Sequence, residues 1–420
     1  MLCTHIQNDP SSGESRDHIS ESSGTSDRAQ RNFPLTVSLG KSWTVVGWRE
    51  CAPCLLLLLL PLLGASVTEP EPCQVDDEDI RCVCNFSDPQ PDWSSAFQCM
   101  PAVEVEMWGG GHSLEQFLGR IDPNADPRQH ADLVKALRLR RLTVGAARVP
   151  AVILLGVLRM LGYSRLKELR FRDIEVTGPM PPPPQPQEAT GPALSTLELH
   201  NVSWPTGGVW LSELQKWLKP GLKQLSITQA HTLAFSCEQV RPFSSLTTLD
   251  LSDNPGLDEG GLVAALCPHK FPALQQLLLR NAGMKTPQGV CAALDKAGVQ
   301  PHHLDLSHNS LHTDVSGCLW PSVLNSLNLS FTGLEQVPKG LPAKLSLLDL
   351  RCNKLVRAPQ PDELPKVGTV LLDGNPFQVP GAAKQEDLTG SGVLPACAHL
   401  PLAMGVSGTL ALLQGVRGFA

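Results

Sequence analysis

Between Leu246 and Leu257 the chain reads LTTLDLSDNPGL, with leucine at the first, fourth, sixth and twelfth positions and asparagine at the ninth. Alternation places Leu249 and Leu251 on one face of a short strand and turns Thr248 and Asp250 toward solvent. Asn254 falls where the chain must bend, and its amide can bond backbone groups that the bend leaves open. One such unit cannot cover its own leucines, whereas stacked copies can.

The pattern recurs along most of the chain. VKALRLRRL (134–142), LKELRFRDI (166–174), LSTLELHNV (194–202) and LKQLSITQA (222–230) precede this unit. LQQLLLRNA (274–282), HHLDLSHNSL (302–311), LNSLNLSFT (324–332), LSLLDLRCNKL (345–355) and VGTVLLDGNPF (367–377) follow it. The central strand residues are then Leu137, Leu169, Leu197, Leu225, Leu249, Leu277, Leu304, Leu327, Leu348 and Val370. Their steps are 32, 28, 28, 24, 28, 27, 23, 21 and 22 residues, a leucine-rich repeat. The asparagine returns at Asn309, Asn353 and Asn375 but is missing from the early copies. The expected fold is α/β, a leucine-rich repeat solenoid (horseshoe) with a disulfide-rich N-terminal cap.

The connections differ along the series. LSELQKWL (211–218), GLVAALC (261–267) and GVCAALDKAG (289–298) predict helices in the longer units. The shorter late units hold Pro338, Pro342, Pro359 and Pro365, which predict an extended outer side. The Pro-rich stretch 179–192 is an inserted loop.

The segments outside the repeats set the compartment. Residues 1–50 are polar, Ser-rich and without apolar periodicity, so they need not fold. Residues 51–66 contain the leucine run Leu55–Leu63 and end in Gly64-Ala65-Ser66, as a signal peptide does. No methionine lies between Met1 and Met100, so either the leading extension is tolerated or the start is misassigned, and the second is expected. The cap, 67–132, holds Cys73, Cys82, Cys84 and Cys99, the acidic run Asp76-Asp77-Glu78-Asp79, a strand at 102–108 and a helix at 113–121. Repeats fill 133–380, and 381–420 form a C-terminal linker and anchor signal.

Thirteen cysteines suit an oxidising compartment, as do the Asn-x-Ser sites at Asn85, Asn201 and Asn328. Zinc at Cys82-x-Cys84 would need a nearby histidine and paired spacing, so disulfides are the expectation. Cys237 and Cys267 lie 30 residues apart and Cys291 and Cys318 lie 27 apart, each about one repeat period. Cys352 is left with only Cys397 as a partner. The tail offers Gly390-Ser391-Gly392, a short spacer and an apolar stretch from Leu400 to Val416, the layout of a glycosylphosphatidylinositol signal with attachment at Gly390 or Ser391. Attachment there would discard Cys397.

Net charge is -7 and pI about 5.9, which gives no reason to expect a nucleic-acid partner. No catalytic motif stands out, no cofactor or metal is expected, and the chain reads as a non-enzyme. His303 and Asp305 occupy solvent-facing strand positions, and Cys267 beside His269 is better used as a half-cystine. A binding scaffold remains. Asn328, if glycosylated, would encumber the late concave face, which moves attention to the N-terminal end. Trp93, Phe97, Met100, Phe117, Leu118, Val134 and Leu137 concentrate apolar side chains there. Arg120, Arg128, Arg138, Arg140 and Arg141 bring positive charge. Taken alone, these residues suit an ordinary core under a solvated basic face, the simpler account.

Six stretches carry a resemblance: PEPCQVDDEDIRCVCNFSDPQPDW (70–93), RRLTVGAARVP (140–150), YSRLKEL (163–169), TTLDLSDNPGL (247–257), ALCPHKFPA (265–273) and VSGTLALLQG (406–415). They resemble the leucine-rich repeat family of lipopolysaccharide co-receptors for Toll-like receptors, over about residues 55–420. The resemblance implies an N-terminal apolar pocket for the acyl chains of bacterial lipid A and related lipids. It also implies loading by a serum lipopolysaccharide-transfer protein, delivery to a Toll-like receptor complex and a lipid anchor in the outer leaflet beside a soluble form. A homodimer belongs to the same expectations. Carried over, Cys73 pairs with Cys84, Cys82 with Cys99, Cys237 with Cys267 and Cys291 with Cys318. The pocket draws on Ala96, Phe97, Met100, Phe117, Val134 and Leu137. Its rim takes Asp76, Asp77, Glu78, Asp79 and the stretch 124–131 with Arg128 and His130, the last standing where the family has tyrosine. The rival reading is a secreted matrix or adhesion protein binding a protein ligand on its concave face.

Overall fold

A computed structural model describes residues 71–88, 90–110, 131–182, 191–312 and 319–378. The polar extension, the signal segment, the helix expected at 113–121 and the C-terminal linker and anchor signal lie outside them.

Thirteen strands form one sheet in which each pairs with the next in sequence. They begin with β1 (Cys73–Val75), β2 (Arg81–Phe86), β3 (Glu104–Gly109), β4 (Arg141–Pro150), β5 (Glu168–Thr177), β6 (Thr196–Ser203) and β7 (Gln224–Thr228). They continue with β8 (Thr248–Asp250), β9 (Gln276–Leu278), β10 (His303–Asp305), β11 (Ser326–Asn328), β12 (Lys344–Asp349) and β13 (Lys366–Leu371). Only the β1–β2 hairpin is antiparallel; every later pairing is parallel.

One row of residues runs across the parallel strands in register: Cys82, Val105, Leu142, Leu169, Leu197, Leu225, Leu249, Leu277, Leu304, Leu327, Leu348 and Val370. The row corrects the first repeat. Leu137 follows helix α1 (Ala131–Ala136), the strand begins only at Arg141, and Leu142 takes the central place. LRLRRL alternates in two frames, and the sheet uses the one that pairs with Leu169. The row also extends into the cap, whose strands β2 and β3 are the first parallel members of the same sheet.

Four more helices cover the early and middle connections: α2 (Ala151–Leu161), α3 (Trp210–Gln215), α4 (Asp258–Leu266) and α5 (Pro287–Ala297). α5 has both ends specified locally. The Thr286 hydroxyl accepts from the Gly289 N–H, Pro287 opens the first turn, and Gly298 ends the helix at φ 65°. Between β10 and β13 the described residues contain no helix, and that is where the prolines fall.

The repeat asparagines hold the bends. Asn309 is 3% exposed; its amide nitrogen donates to the carbonyls of Leu279 (2.7 Å) and Leu306 (2.8 Å). Its oxygen accepts from the N–H groups of Ala282 (2.9 Å) and Met284 (3.0 Å). Asn254, Asn353 and Asn375 are buried in the same role, each bonding carbonyls of its own repeat and the one before. The unit at β11 has Thr332 instead, whose hydroxyl donates to Leu329 O at 2.7 Å.

Candidate functional site

Two hydrophobic clusters meet at the N-terminal end. The cap cluster is built on Cys73, Cys82, Cys84, Phe86, Cys99 and Ala102, and the second runs through the repeats from Leu139 to Leu355. Trp93 packs against both and stacks on Phe86 with ring centroids 4.2 Å apart. The two clusters do not close on each other completely. A cavity of about 120 Å³ lies between them, walled by Phe86, Trp93 and Met107 from the cap side and by side chains of β4, β5 and α2 from the other. Every lining residue is apolar, Gly109 included. Helix α2 supplies Leu154, Val157, Leu158 and Leu161, which share one helical face.

None of the expected pocket residues that are described, Ala96, Phe97, Met100, Val134 and Leu137, lines this cavity. Ala96 and Phe97 lie on the 3₁₀ helix Trp93–Cys99, whose first residue does line the cavity. Ala96 packs on the cap cluster, while Phe97 is 71% exposed and Met100, just after the helix, 41%. Val134 is buried on α1, and Leu137 packs against the repeat core. Phe117, Leu118, Arg120, Arg128 and His130 lie outside the described residues. Asp76, Asp77, Glu78 and Asp79 are exposed in the turn between β1 and β2, where the Asp76 carboxylate accepts from the Ile80 N–H at 2.7 Å.

Arg141 does not stand free. Its guanidinium donates to Glu104 and to Glu168, each at 2.6 Å, and Arg170 extends the ladder to Glu198 at 3.1 Å. The hydrogen bond to Glu168 raises Arg141 above its ordinary value and holds the Glu168 carboxyl below the usual carboxylate range. Arg138 and Arg140 are exposed beside them.

The structure joins Cys73 to Cys84, Cys82 to Cys99 and Cys237 to Cys267. Cys291 and Cys352 are disulfide-bonded as well, while Cys318 and Cys397 lie outside the described residues. The sulfurs of Cys73, Cys84 and Cys99 gather within 4.8 Å of one another because two adjacent disulfides bring them there. The sequon residues are all on or beside strands. Asn85 is exposed on β2, Asn201 donates to Asp173 at 2.7 Å, and Asn328 is half-buried with its oxygen accepting from the Ser330 N–H. No helix among the described residues is long and apolar enough to cross a membrane.

A parallel repeat ladder closed by a disulfide-bonded cap, with a wholly apolar cavity where the two join, defines a leucine-rich repeat binding protein. No family model matches the chain. It is 78% identical over 371 residues to monocyte differentiation antigen CD14 of Oryctolagus cuniculus, covering 88% of this chain and 100% of that protein. The human protein of the same name is 70% identical over 376 residues, with the same coverage. Toll-like receptor 2 of Equus caballus is 31% identical over 140 residues, 32% of this chain and 17% of the receptor, as a shared repeat class would give. The chain belongs to the monocyte differentiation antigen CD14 family.

Proposed function

We propose that the chain is a pattern-recognition co-receptor that binds bacterial lipopolysaccharide through its lipid A acyl chains and passes it to a Toll-like receptor complex, triggering inflammatory signalling. One observation carries the reading: an all-apolar cavity between cap and first repeats, in a chain 78% identical to a CD14 protein. Hydrocarbon leaving water gains about 0.8 kcal/mol per buried CH₂. A dry cavity with no polar wall captures that gain without desolvating a polar group. At about 120 Å³ the space takes the leading segment of an acyl chain. Further carbons then need apolar surface outside the cavity, and in this reading exposed Phe97 and Met100 with half-buried Ala96 supply it. Phe117, Val134 and Leu137 complete that lining in this reading. Asp76 to Asp79, Arg128 and His130 form its rim, and cationic side chains there meet the lipid phosphates.

The wider assignment has the sheet curve into a horseshoe, a serum transfer protein load the lipid and the chain self-associate as a homodimer. The mature chain is held on the outer leaflet by a lipid anchor at Gly390 or Ser391 and is also released in soluble form.

Phe97→Asp and Phe117→Asp, made as folded, secreted proteins, are expected to lose lipopolysaccharide transfer, because a charge would face hydrocarbon without a partner. Asn328→Gln, far along the sheet, should transfer normally. Full transfer by both Asp variants would remove these residues from the site. For the anchor, deleting residues 400–420 should abolish surface display and leave secretion; unchanged display would end that assignment.

A further inference from the structure

A second concavity lies further along the ladder. The loops that follow β7, β8 and β9 enclose a cleft of about 910 Å³, with Gln229, His231, Thr232, Asp253 and Asn281 on its walls. Its floor is apolar, from Ala230, Leu233, Pro255 and Leu257. Behind it sits a chamber of about 60 Å³ that shares Ala230, His231 and Thr232 with the cleft and is backed by Trp204 and Trp210. These two indoles stack with centroids 5.2 Å apart. The indole nitrogens of both, and the hydroxyl of nearby Thr206, are buried without a hydrogen-bond partner. Trp210 is 1% exposed, and a buried N–H of this kind gains from any acceptor brought within reach.

We infer that this cleft is a saccharide site and that it takes the sugar portion of the glycolipid whose acyl chains enter the cavity, an inference resting on the function proposed above. A sugar ring offers an apolar C–H face and a belt of hydroxyls, each both donor and acceptor. The matching site has an apolar floor and planar polar side chains on its walls, and amide, imidazole and carboxylate groups surround this floor. The Asp253 carboxylate accepts from the Asn281 amide at 3.1 Å and pairs with Arg280 at 3.9 Å, which leaves it an acceptor for a neutral hydroxyl. A hydroxymethyl arm reaching the chamber brings the acceptor oxygen that the indole N–H groups lack. Position agrees as well. The cleft lies at the C-terminal ends of β7 to β9, and the lipid cavity is walled partly by Val149 and Ile174 near the C-terminal ends of β4 and β5. Adjacent strands stand about 4.8 Å apart, so the nearest edges of the two sites, at β5 and β7, are roughly 10 Å apart along the sheet and their middles roughly 17 Å.

Titration calorimetry of the full chain with three probes tests this: lipid A without core sugars, lipopolysaccharide carrying its core oligosaccharide, and lipid-free core oligosaccharide. His231→Ala and Asp253→Asn are made alongside Thr232→Trp, which blocks the cleft by bulk; melting temperatures confirm that each is folded. The parent chain should bind the free oligosaccharide. His231→Ala and Asp253→Asn should each weaken that binding and the binding of whole lipopolysaccharide roughly tenfold, the loss of one good hydrogen bond, and Thr232→Trp by at least as much, while lipid A binds unchanged. No oligosaccharide binding by the parent, parent-like binding by all three variants, or an equal loss for lipid A would overturn the inference. Should lipid A fail to bind even the parent, the cavity reading falls, and the oligosaccharide arm still decides the cleft.

Discussion

Strands β4 and β5 run ten residues each, whereas β8 to β11 run three each, and this difference separates a half of the molecule that can be hollow from a half that is filled. In the late half a buried asparagine closes most bends, satisfying carbonyls and N–H groups of two repeats at once. The strand can then stop after one inward leucine, and the next, Leu251 or Leu306, turns straight into a core where both are 0% exposed. In the early half the equivalent bend positions hold Ala147, Ile174 and Val202, which offer no such bonds. There the strands continue, and β4–β5 pairing reaches Pro150 and Thr177. The bend residue keeps its positive φ, at Ala146, Asp173 and Asn201 as at Asp253, His308 and Cys352, and helix α2 covers the interior beyond it. It does so incompletely, and the shortfall is the cavity. The cavity at the cap junction thus goes with strands that run on past the bend, whereas the cleft beside Asn254 is formed by loops at the surface.

The sharpest way to break this comparison is to remove an asparagine from the filled half. Asn309→Ala strands four buried backbone partners and should cost about 2–4 kcal/mol in urea unfolding at unchanged m-value. Asn201→Gly, at the positive-φ residue just before the equivalent position in the hollow half, keeps the φ of 49° and loses only a partly exposed bond to Asp173, so it should cost under about 1 kcal/mol. Equal costs would mean that the bends of the two halves are held in the same way.

A matched enlargement sharpens it further. Leu306→Phe adds volume to a closed core and should cost about 1–3 kcal/mol. Leu154→Phe makes the same chemical change on the wall of the cavity, so stability should shift by less than about 1 kcal/mol while lipopolysaccharide binding falls. Comparable destabilisation at the two sites would show that the early core has no spare volume.

The row of inward leucines was legible because a strand period repeated ten times leaves little freedom, and the asparagines were legible because they recur at one offset. Leu137 misled because LRLRRL alternates in two frames and only tertiary pairing with Leu169 chooses between them. Helix α2 passed unnoticed for the opposite reason. AVILLGVLRML is apolar nearly throughout and reads as core, although Leu154, Val157, Leu158 and Leu161 keep helical spacing within it. The neighbourhood of the site, the junction of cap and first repeat, could be read from the density of apolar residues around Trp93. Its walls could not. A cavity is missing volume, and each of Leu142, Val144, Leu169 and Phe171 looks in sequence like any other core residue.

The smallest effect concerns charge on the open side of the same two halves. Glu168 ties β5 to β4 through Arg141 at 2.6 Å, a contact across 27 residues of sequence. Glu363 in the late half is held down to about 2, chiefly by its hydrogen bond to Arg357 only 6 residues away within one connection. Both carboxyls titrate lower in the folded chain than their ordinary value of 4.5. The stabilisation each gives is therefore complete above that value and is lost as pH falls through the folded one. Protonating Glu168 releases a bond between strands, whereas protonating Glu363 releases a bond inside a loop. Glu168→Gln should thus flatten the acid limb of the thermal-unfolding curve below pH 4.5 and lower stability at neutral pH by under about 1 kcal/mol, the usual size for a partly exposed pair. Glu363→Gln should leave the global transition in place and change only the local opening of its loop, followed by amide exchange around residues 357–363. If Glu363→Gln moves the global acid limb as much as Glu168→Gln does, the loop pair is coupled to the sheet and the two halves do not differ in this respect.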